Sequence, residues 1–515
     1  ASSAAQIAAG LGLLAIGVLY AAYYLSGDLA TVSAPSLLPF LLLGVALTIA
    51  LGFEFVNGFH DTSNAVATVI YTNSLPPTAA VIWSGAWNFI GVMVSSGAVA
   101  FGIIRLLPVE LILQVGGASG FAMVFALLIA AILWNLGTWY LGLPASSSHT
   151  LVGSVIGVGL MNDLLVGPLA TSGVDWDQAA EVGKALLVSP VIGFAAAGLL
   201  LLAGRLLIRI PSLYREPEPD RPPPWWIRAI LILTCTSVSF AHGSNDGQKG
   251  MGLILLILIG TVPTAYALNR AVDGDKVAAF VSASTEAASV LEGAARGAAA
   301  PAEPRREISR YLRARETSPA TLAALARLDR EIAASVASYG SLAKVPAAAV
   351  GDLRNDMYLV NEALRHLEAG GQVALGAAER RAIDRYSAAL EAATEFIPPW
   401  VKVATALALG LGTMVGWRRI VVTVGERIGK QPLSYAQGAA AELVAAATIA
   451  AADLYKLPVS TTHVLSSGVA GTMAANRSGI QWATVRNLVS AWVLTFPVSM
   501  ALAGGLFWLF RSLLA

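Results

Sequence analysis

The sequence predicts an all-α polytopic membrane protein, and three observations carry that prediction. Of its 515 residues, 56% are hydrophobic and only 13% charged, with a mean hydropathy of +0.67; a typical soluble domain carries roughly 25% charged residues. Several stretches are apolar all round rather than on one face, and they reach the roughly 20 residues that a helix needs to cross a bilayer. Polar motifs set within those stretches recur in both halves of the chain. In full, the expected architecture is two repeated units, read as inverted, with broken helices and re-entrant segments, plus a soluble helical insertion.

In chain order the expected spans are 5–25, 36–54, 78–101, 121–141, 186–208, 227–241, 251–268, 397–416, 434–452 and 485–513. Segment 5–25 lacks the basic start of a secretory signal and reads as a retained span. The stretch 205–228, RLLIRIPSLYREPEPDRPPPWWIR, is rich in Pro and Arg and reads as a polar loop. The stretch 271–396 is mostly Ala, Glu and Arg, with amphipathic periodicity and no span, the pattern of a soluble, mainly helical insertion. The domains are therefore a first membrane repeat (1–204), the polar loop (205–228), the start of a second repeat (229–270), the insertion (271–396) and the remainder of the second repeat (397–515). The loop 417–430, WRRIVVTVGERIGK, is short and basic, as is 205–228, and both are expected to face the cytoplasm. Whether 228–268 crosses once or twice decides the side of the insertion, and the sequence leaves both open.

A net charge of +1 implies neither an acidic nor a basic partner. No basic run marks a nucleic-acid site, so the expected environment is the lipid bilayer and nucleic acid is not an expected partner. The single cysteine, Cys235, excludes an internal disulfide.

The repeats carry the functional signal. Pro144-Ala145-Ser146-Ser147-Ser148-His149 is echoed by Pro458-Val459-Ser460-Thr461-Thr462-His463, each after a leucine and before a run of small residues. His60-Asp61-Thr62-Ser63-Asn64 is echoed more loosely by Asn245-Asp246-Gly247-Gln248-Lys249. Asp61 and His149 stand 88 positions apart, Asp246 and His463 217; removing the 126 residues of 271–396 leaves 91, close to the first interval. Small-residue helix packing explains recurring glycines and serines. It does not explain an Asp and a His recurring at one spacing.

Ionisable groups within spans are costly and functional by default. Asp61, Asp246 and Lys249 fall under that argument, as do His60, His149, His242 and His463; each buried carboxylate needs a cation, a proton or a donor nearby. Asp–Lys or Asp–His pairs that only tie helices together are the structural alternative. GFHDTSN and HGSNDGQKG are polar and Gly-bearing, so they are expected to unwind and line a cavity. Each Ser/Thr cluster follows a proline that stops the preceding helix, so a new helix should start at the hydroxyls, a ready anion site. The chain after each cluster is marginal as a full span, which suggests re-entrant segments.

With GFHDTSNAVATVIYT, WNLGTWYLGLPASSSHTLVG, AHGSNDGQKGMGLILL, LALGLGTMVGWRR and KLPVSTTHVLSSGVAGTM together, the chain resembles the inorganic phosphate transporter (PiT) family, most closely its bacterial low-affinity Pit type. The resemblance covers both halves of the membrane core and not the insertion. It implies symport of inorganic phosphate driven by a cation gradient, a homodimer, and no catalytic reaction or cofactor. It also implies a site near the membrane centre, with Ser147, Ser148, Thr461, Thr462, Asn245 and Lys249 on phosphate and Asp61, Asn64 and Asp246 on the coupling cation. His60, Ser146, His149, His242, Ser460 and His463 are secondary candidates, and no metal site is identified. Sodium-coupled members commonly carry an Asn where this chain has Lys249. The GQKG form goes with proton coupling and with divalent metal–phosphate substrates, so H+ is the expected coupling ion and Na+ the alternative. A bacterial inner membrane is the implied location. Sulfate is the rival substrate; an intramembrane hydrolase is the rival from another class, but it needs no duplicated serine cluster and would need a nucleophile within reach of a base.

Overall fold

The computed structural model describes residues 3–29, 38–61, 63–113, 117–167, 174–218, 221–370 and 373–514. The first half runs α1 (Ser3–Leu29), α2 (Leu38–Asp61), α3 (Ser63–Tyr71), α4 (Pro77–Val94), α5 (Ala98–Ile104), α6 (Val109–Leu113), α7 (Ala118–Tyr140), α8 (Ser147–Val166) and α9 (Trp176–Leu207). The second opens with α10 (Trp225–Thr261) and α11 (Pro263–Tyr266). It continues through α12 (Gly274–Ala294), α13 (Pro304–Ala314), α14 (Pro319–Tyr339), α15 (Ala347–Gly370) and α16 (Ala377–Thr394). It closes with α17 (Pro399–Thr413), α18 (Arg418–Glu426), α19 (Tyr435–Leu454), α20 (Thr461–Asn476) and α21 (Trp482–Leu514).

Seven helical segments among the described residues are long and apolar enough to cross a membrane, or eight with the pair α16–α17, bent by 75° at its break. Leu187, Val191 and Leu199 on α9 and Val493 and Leu494 on α21 point outward, exposed. Such an apolar belt is stable where lipid is the solvent. The chain is an integral membrane protein with multiple transmembrane helices.

Three local expectations change. The expected spans 227–241 and 251–268 are one continuous helix, α10, of 37 residues. HGSNDGQKG therefore does not unwind. Its charges are compensated along the helix face instead, Lys249 three residues from Asp246 and His242 four residues before it. GFHDTSN is helical on both sides of Thr62: α2 ends at Asp61, α3 starts at Ser63, and Phe40–Tyr71 is apolar and long enough to count as one 32-residue span. Thr62, and residues 36 and 37 of the expected span 36–54, lie outside the described residues. The segment after Pro144 is less marginal than it reads, because α8 has 20 residues and qualifies as a span by itself, whereas α20 has 16.

Helices of the two halves pack on one another. α2 packs on α17 and α10 on α4; α8 packs on α21 and α20 on α9; α7 meets α2 as α19 meets α10. Glycines set the approach at matching points. A Cβ at Gly58 would stand 2.2 Å from the Leu409 carbonyl oxygen, and one at Gly243 2.2 Å from that of Asn88. At Gly157 and Gly471 the same atom would stand 2.2 and 2.0 Å from the carbonyl oxygens of Met500 and Phe194.

The two ends of the helix stack differ. At one end the loops cluster: Arg228 donates to the Ser74 carbonyl (2.7 Å), Asn73 to that of Glu218 (3.1 Å) and Arg419 to that of Tyr140 (2.6 Å). At the other end α12–α16 form a helical bundle whose apolar core is continuous with that of the adjoining long helices. Arg105 reaches Glu391 (2.8 Å) of α16 and Glu395 (2.6 Å) just past its end, and Asp175, which caps α9, meets Arg365 (2.5 Å) and His366 (3.4 Å) of α15.

Candidate functional site

Both Ser/Thr clusters open helices, as their prolines suggest. Backbone is extended at Ser146 and Ser460, whose side chains cap α8 and α20 by accepting from the amides of His149 (3.2 Å) and His463 (3.1 Å). The cap role that a Ser/Thr cluster ordinarily plays is thus filled by the first hydroxyl of each. That leaves Ser147, Ser148, Thr461 and Thr462 in the first turns, all wholly buried.

These turns converge on Asp61, at the end of α2. The Ser147 hydroxyl donates to its Oδ2, with the Ser147 amide at 3.4 Å, and the Thr462 hydroxyl donates to its Oδ1 at 2.8 Å. His60 Nδ1 lies 3.1 Å from the same carboxyl, and its Nε2 is 3.0 Å from the Thr138 hydroxyl. One carboxylate from the first half is thus gripped by hydroxyls from both halves.

The middle of α10 forms the facing wall. Lys249, 1% exposed, pairs with Asp246 at 2.6 Å and donates to the Ser148 hydroxyl, which in turn donates to the Val459 carbonyl (2.7 Å). His242 lies 3.3 Å from Asp246 and 2.8 Å from the Asn88 side-chain oxygen. The Asn245 amide donates to the Leu457 carbonyl (3.1 Å), its oxygen accepts from Val459 N (3.4 Å), and it also reaches the Asp453 carboxyl. It therefore positions the second Ser/Thr turn.

His149 and His463 meet beside the site with ring centroids 4.4 Å apart and planes tilted by 40°, and His463 stacks on the Trp492 ring at 4.1 Å. The Trp492 indole donates to the Pro144 carbonyl (2.9 Å), so this stack joins the two Ser/Thr turns. The Thr461 hydroxyl is buried and meets no hydrogen-bond partner of regular geometry. Asn64 lies on α3, and its side chain is outside the described residues.

Asp61, His242 and Asp246 each present a ligand atom within 4.8 Å of the others. The Lys249 ammonium lies 2.6 Å from Asp246 in the same cluster. Sequence reasoning missed Asn57, whose side-chain oxygen lies 2.8 Å from the Ser147 hydroxyl and shares its proton with Asp61, and Asn88 and Thr138, which hold the histidines. Asn57 had a readable signal. Aligning GFHD with GSND puts it opposite His242, four residues before each Asp.

The arrangement gathers buried hydroxyls, two helix N-termini, one ammonium and two carboxylates, which suits a small oxyanion able to both accept and donate hydrogen bonds. The model of the family described as "Phosphate transporter family" matches residues 57–503. The low-affinity inorganic phosphate transporter PitA of Escherichia coli strain K12 is 38% identical over 496 residues, covering 91% of this chain and 96% of that protein. PitB of the same strain, also described as a low-affinity inorganic phosphate transporter, is 39% identical over 497 residues, covering 92% and 97%. A probable low-affinity inorganic phosphate transporter of Bacillus subtilis strain 168 is 26% identical, covering 90% and 95%. A solved structure, "The sodium-dependent phosphate transporter", matches 92% of this chain and 99% of its own at 19% identity and a TM-score of 0.49.

Proposed function

The chain belongs to the phosphate transporter family, and from that premise we propose that it is a secondary active symporter of inorganic phosphate, proton-coupled, in a bacterial inner membrane. The observation that carries this reading is the grip of Ser147 and Thr462 on Asp61, with Lys249 joined to Ser148 beside it. Arriving phosphate competes with Asp61 for those hydroxyls and takes Thr461 as a spare donor; Lys249 binds it as a point charge. Asp61 and Asp246 accept from a phosphate OH. An ionised carboxylate beside an anion is repulsive, so binding favours a proton nearby, and that preference is the coupling. Na+ is the alternative; Lys249 already fills the positive-charge space that sodium would occupy. A neutral divalent metal–phosphate would travel as cargo by the same route.

Several finer readings belong with this one. The packing of the two halves on one another supports two repeats related by an inverted pseudo-two-fold. Their boundaries are 1–204, and 229–270 with 397–515, joined by the loop 205–228 and interrupted by a soluble insertion at 271–396. The end of α8 meets Val174, next to Asp175 at the bundle end, through Asp163, while the end of α20 meets Arg205 through Asn476 at the loop end, so the two helices run oppositely. α10 crosses once, which sets the bundle on the side opposite the basic cytoplasmic loops. Alternating access would follow from rocking one repeat against the other. The transporter is proposed to work as a homodimer.

The deciding experiment is phosphate uptake into proteoliposomes under separately imposed proton and sodium gradients. Uptake driven by the proton gradient is expected; uptake driven by sodium alone overturns the coupling, and no driven uptake of phosphate overturns the function. Excess sulfate should not compete, because fully ionised sulfate has no proton to give Asp61 or Asp246. Undiminished, still pH-dependent uptake in both Asp61→Asn and Asp246→Asn would remove these residues from the mechanism.

A further inference from the structure

Glu54 lies on α2, about two turns before Asp61. It is wholly buried, and neither of its carboxyl oxygens meets a donor at regular hydrogen-bond geometry. It rests beside Asn57 and against the backbone of Gly250 on α10, within electrostatic reach of Asp246 and Lys249. A Cβ at position 250 would stand 2.3 Å from the Glu54 Oε1 atom. Glycine there, directly after Lys249, is what admits the carboxyl.

The neighbouring carboxylates are compensated. Asp61 has two hydroxyl donors and His60, and Asp246 has Lys249 and His242. The other titratable or charged groups on helices packed against α2 are His149 on α8, bonded to Ser146, Asp163 at the far end of α8, Lys402 on α17, whose ammonium is held by the Ser95 carbonyl at 2.6 Å, Tyr71 on α3, bonded to Glu426, and, toward the start of α10, Arg228, held by the Ser74 carbonyl, and the buried Cys235. From α7 only Tyr140, at its far end, is titratable. An ionised carboxylate so enclosed, with only the neutral Asn57 side chain and the Gly250 backbone close enough to donate, is costly, and holding a proton removes that cost.

We propose that Glu54 is the carboxyl that carries the coupled proton; this rests on the proton-coupled reading and deepens it. On the side of entry an O–H bond forms between a proton from water and the Glu54 carboxylate. Phosphate then binds at Lys249 and the hydroxyls. Its negative charge draws on the Lys249 ammonium, which then stabilises a Glu54 anion less, so the proton is retained. By linkage the proton on Glu54 favours phosphate by the same factor. On the far side phosphate leaves, the O–H bond breaks, its electron pair stays on the carboxylate, and the proton passes to water.

The test uses the full chain in proteoliposomes, with wild type, Glu54→Gln and Glu54→Asp, inorganic phosphate as probe, and two readouts: exchange of labelled for unlabelled phosphate, and accumulation under an imposed pH gradient. Glu54→Gln should still exchange, with its pH dependence flattened, but should lose at least tenfold in accumulation. Glu54→Asp, which keeps a titratable group, should still accumulate, with a shifted pH midpoint. Accumulation by Glu54→Gln with wild-type pH dependence overturns the proposal alone. So does loss of accumulation in both variants, which would mark Glu54 as packing. A wild-type chain indifferent to the pH gradient overturns the proton-coupled reading itself.

Discussion

Lys249→Met separates the two tasks assigned to the ammonium. Lys249 is 1% exposed and pairs with Asp246 at 2.6 Å while donating to Ser148. Methionine keeps the length and loses the charge. The Asp246 carboxylate then stays buried with only His242 at 3.3 Å, and breaking a buried pair from one side costs about 3–5 kcal/mol. Pairing Lys249→Met with Asp246→Asn removes both charges, and should bring thermal stability back to within about 1–2 kcal/mol of wild type. Uptake should not recover. A lost charge-assisted hydrogen bond to phosphate is worth about 1.5–3 kcal/mol, or about 10- to 150-fold in the KM for phosphate. Thermal unfolding in detergent, followed by intrinsic tryptophan fluorescence, reads the first effect; proteoliposome uptake against phosphate concentration reads the second. If Lys249→Met keeps both the wild-type melting curve and the wild-type KM, then the ammonium neither compensates Asp246 nor meets phosphate.

Three further outcomes follow from separate parts of the molecule. Thr461→Val removes a buried hydroxyl that has no partner, so thermal stability should stay within about 0.5 kcal/mol while the KM for phosphate rises several-fold; an unchanged KM would take Thr461 out of the site. In the helical bundle, burial pushes the Asp329 carboxyl, which accepts from the Ser284 hydroxyl, up to about 7 from 3.8. The folded state then holds the extra proton between those values, so stability is greatest below about pH 4 and falls as pH rises toward 7. At about 1.4 kcal/mol per pKa unit the loss is about 4 kcal/mol at most; Asp329→Asn should melt at nearly the same temperature at pH 5 and pH 8, unlike wild type. Gly471→Ala puts a methyl 2.0 Å from the Phe194 carbonyl oxygen, and the forced separation of α20 from α9 should cost about 1–3 kcal/mol, seen as a lower melting temperature in detergent.

Membrane residence, the paired motifs and the membership of the site were legible in the sequence, because they rest on local rules. Unbroken apolar length requires lipid. A proline ahead of a hydroxyl cluster starts a new helix, and Ser146 and Ser460 do cap α8 and α20. Recurrence picked out Asp61, Asp246, Ser147, Ser148 and Thr462, which the fold does bring together. Tertiary structure decided what recurrence cannot reveal. Whether HGSNDGQKG unwinds depends on whether its charges find partners, and Lys249 and His242 supply them within one continuous helix. Asn245 became a brace because Leu457 and Val459 lie across from it, a contact made over more than 200 residues of sequence. Glu54 has no counterpart in the second motif and sits amid apolar neighbours, so nothing local marks it. Only the approach of α10 at Gly250 brings its carboxyl into the field of Asp246 and Lys249.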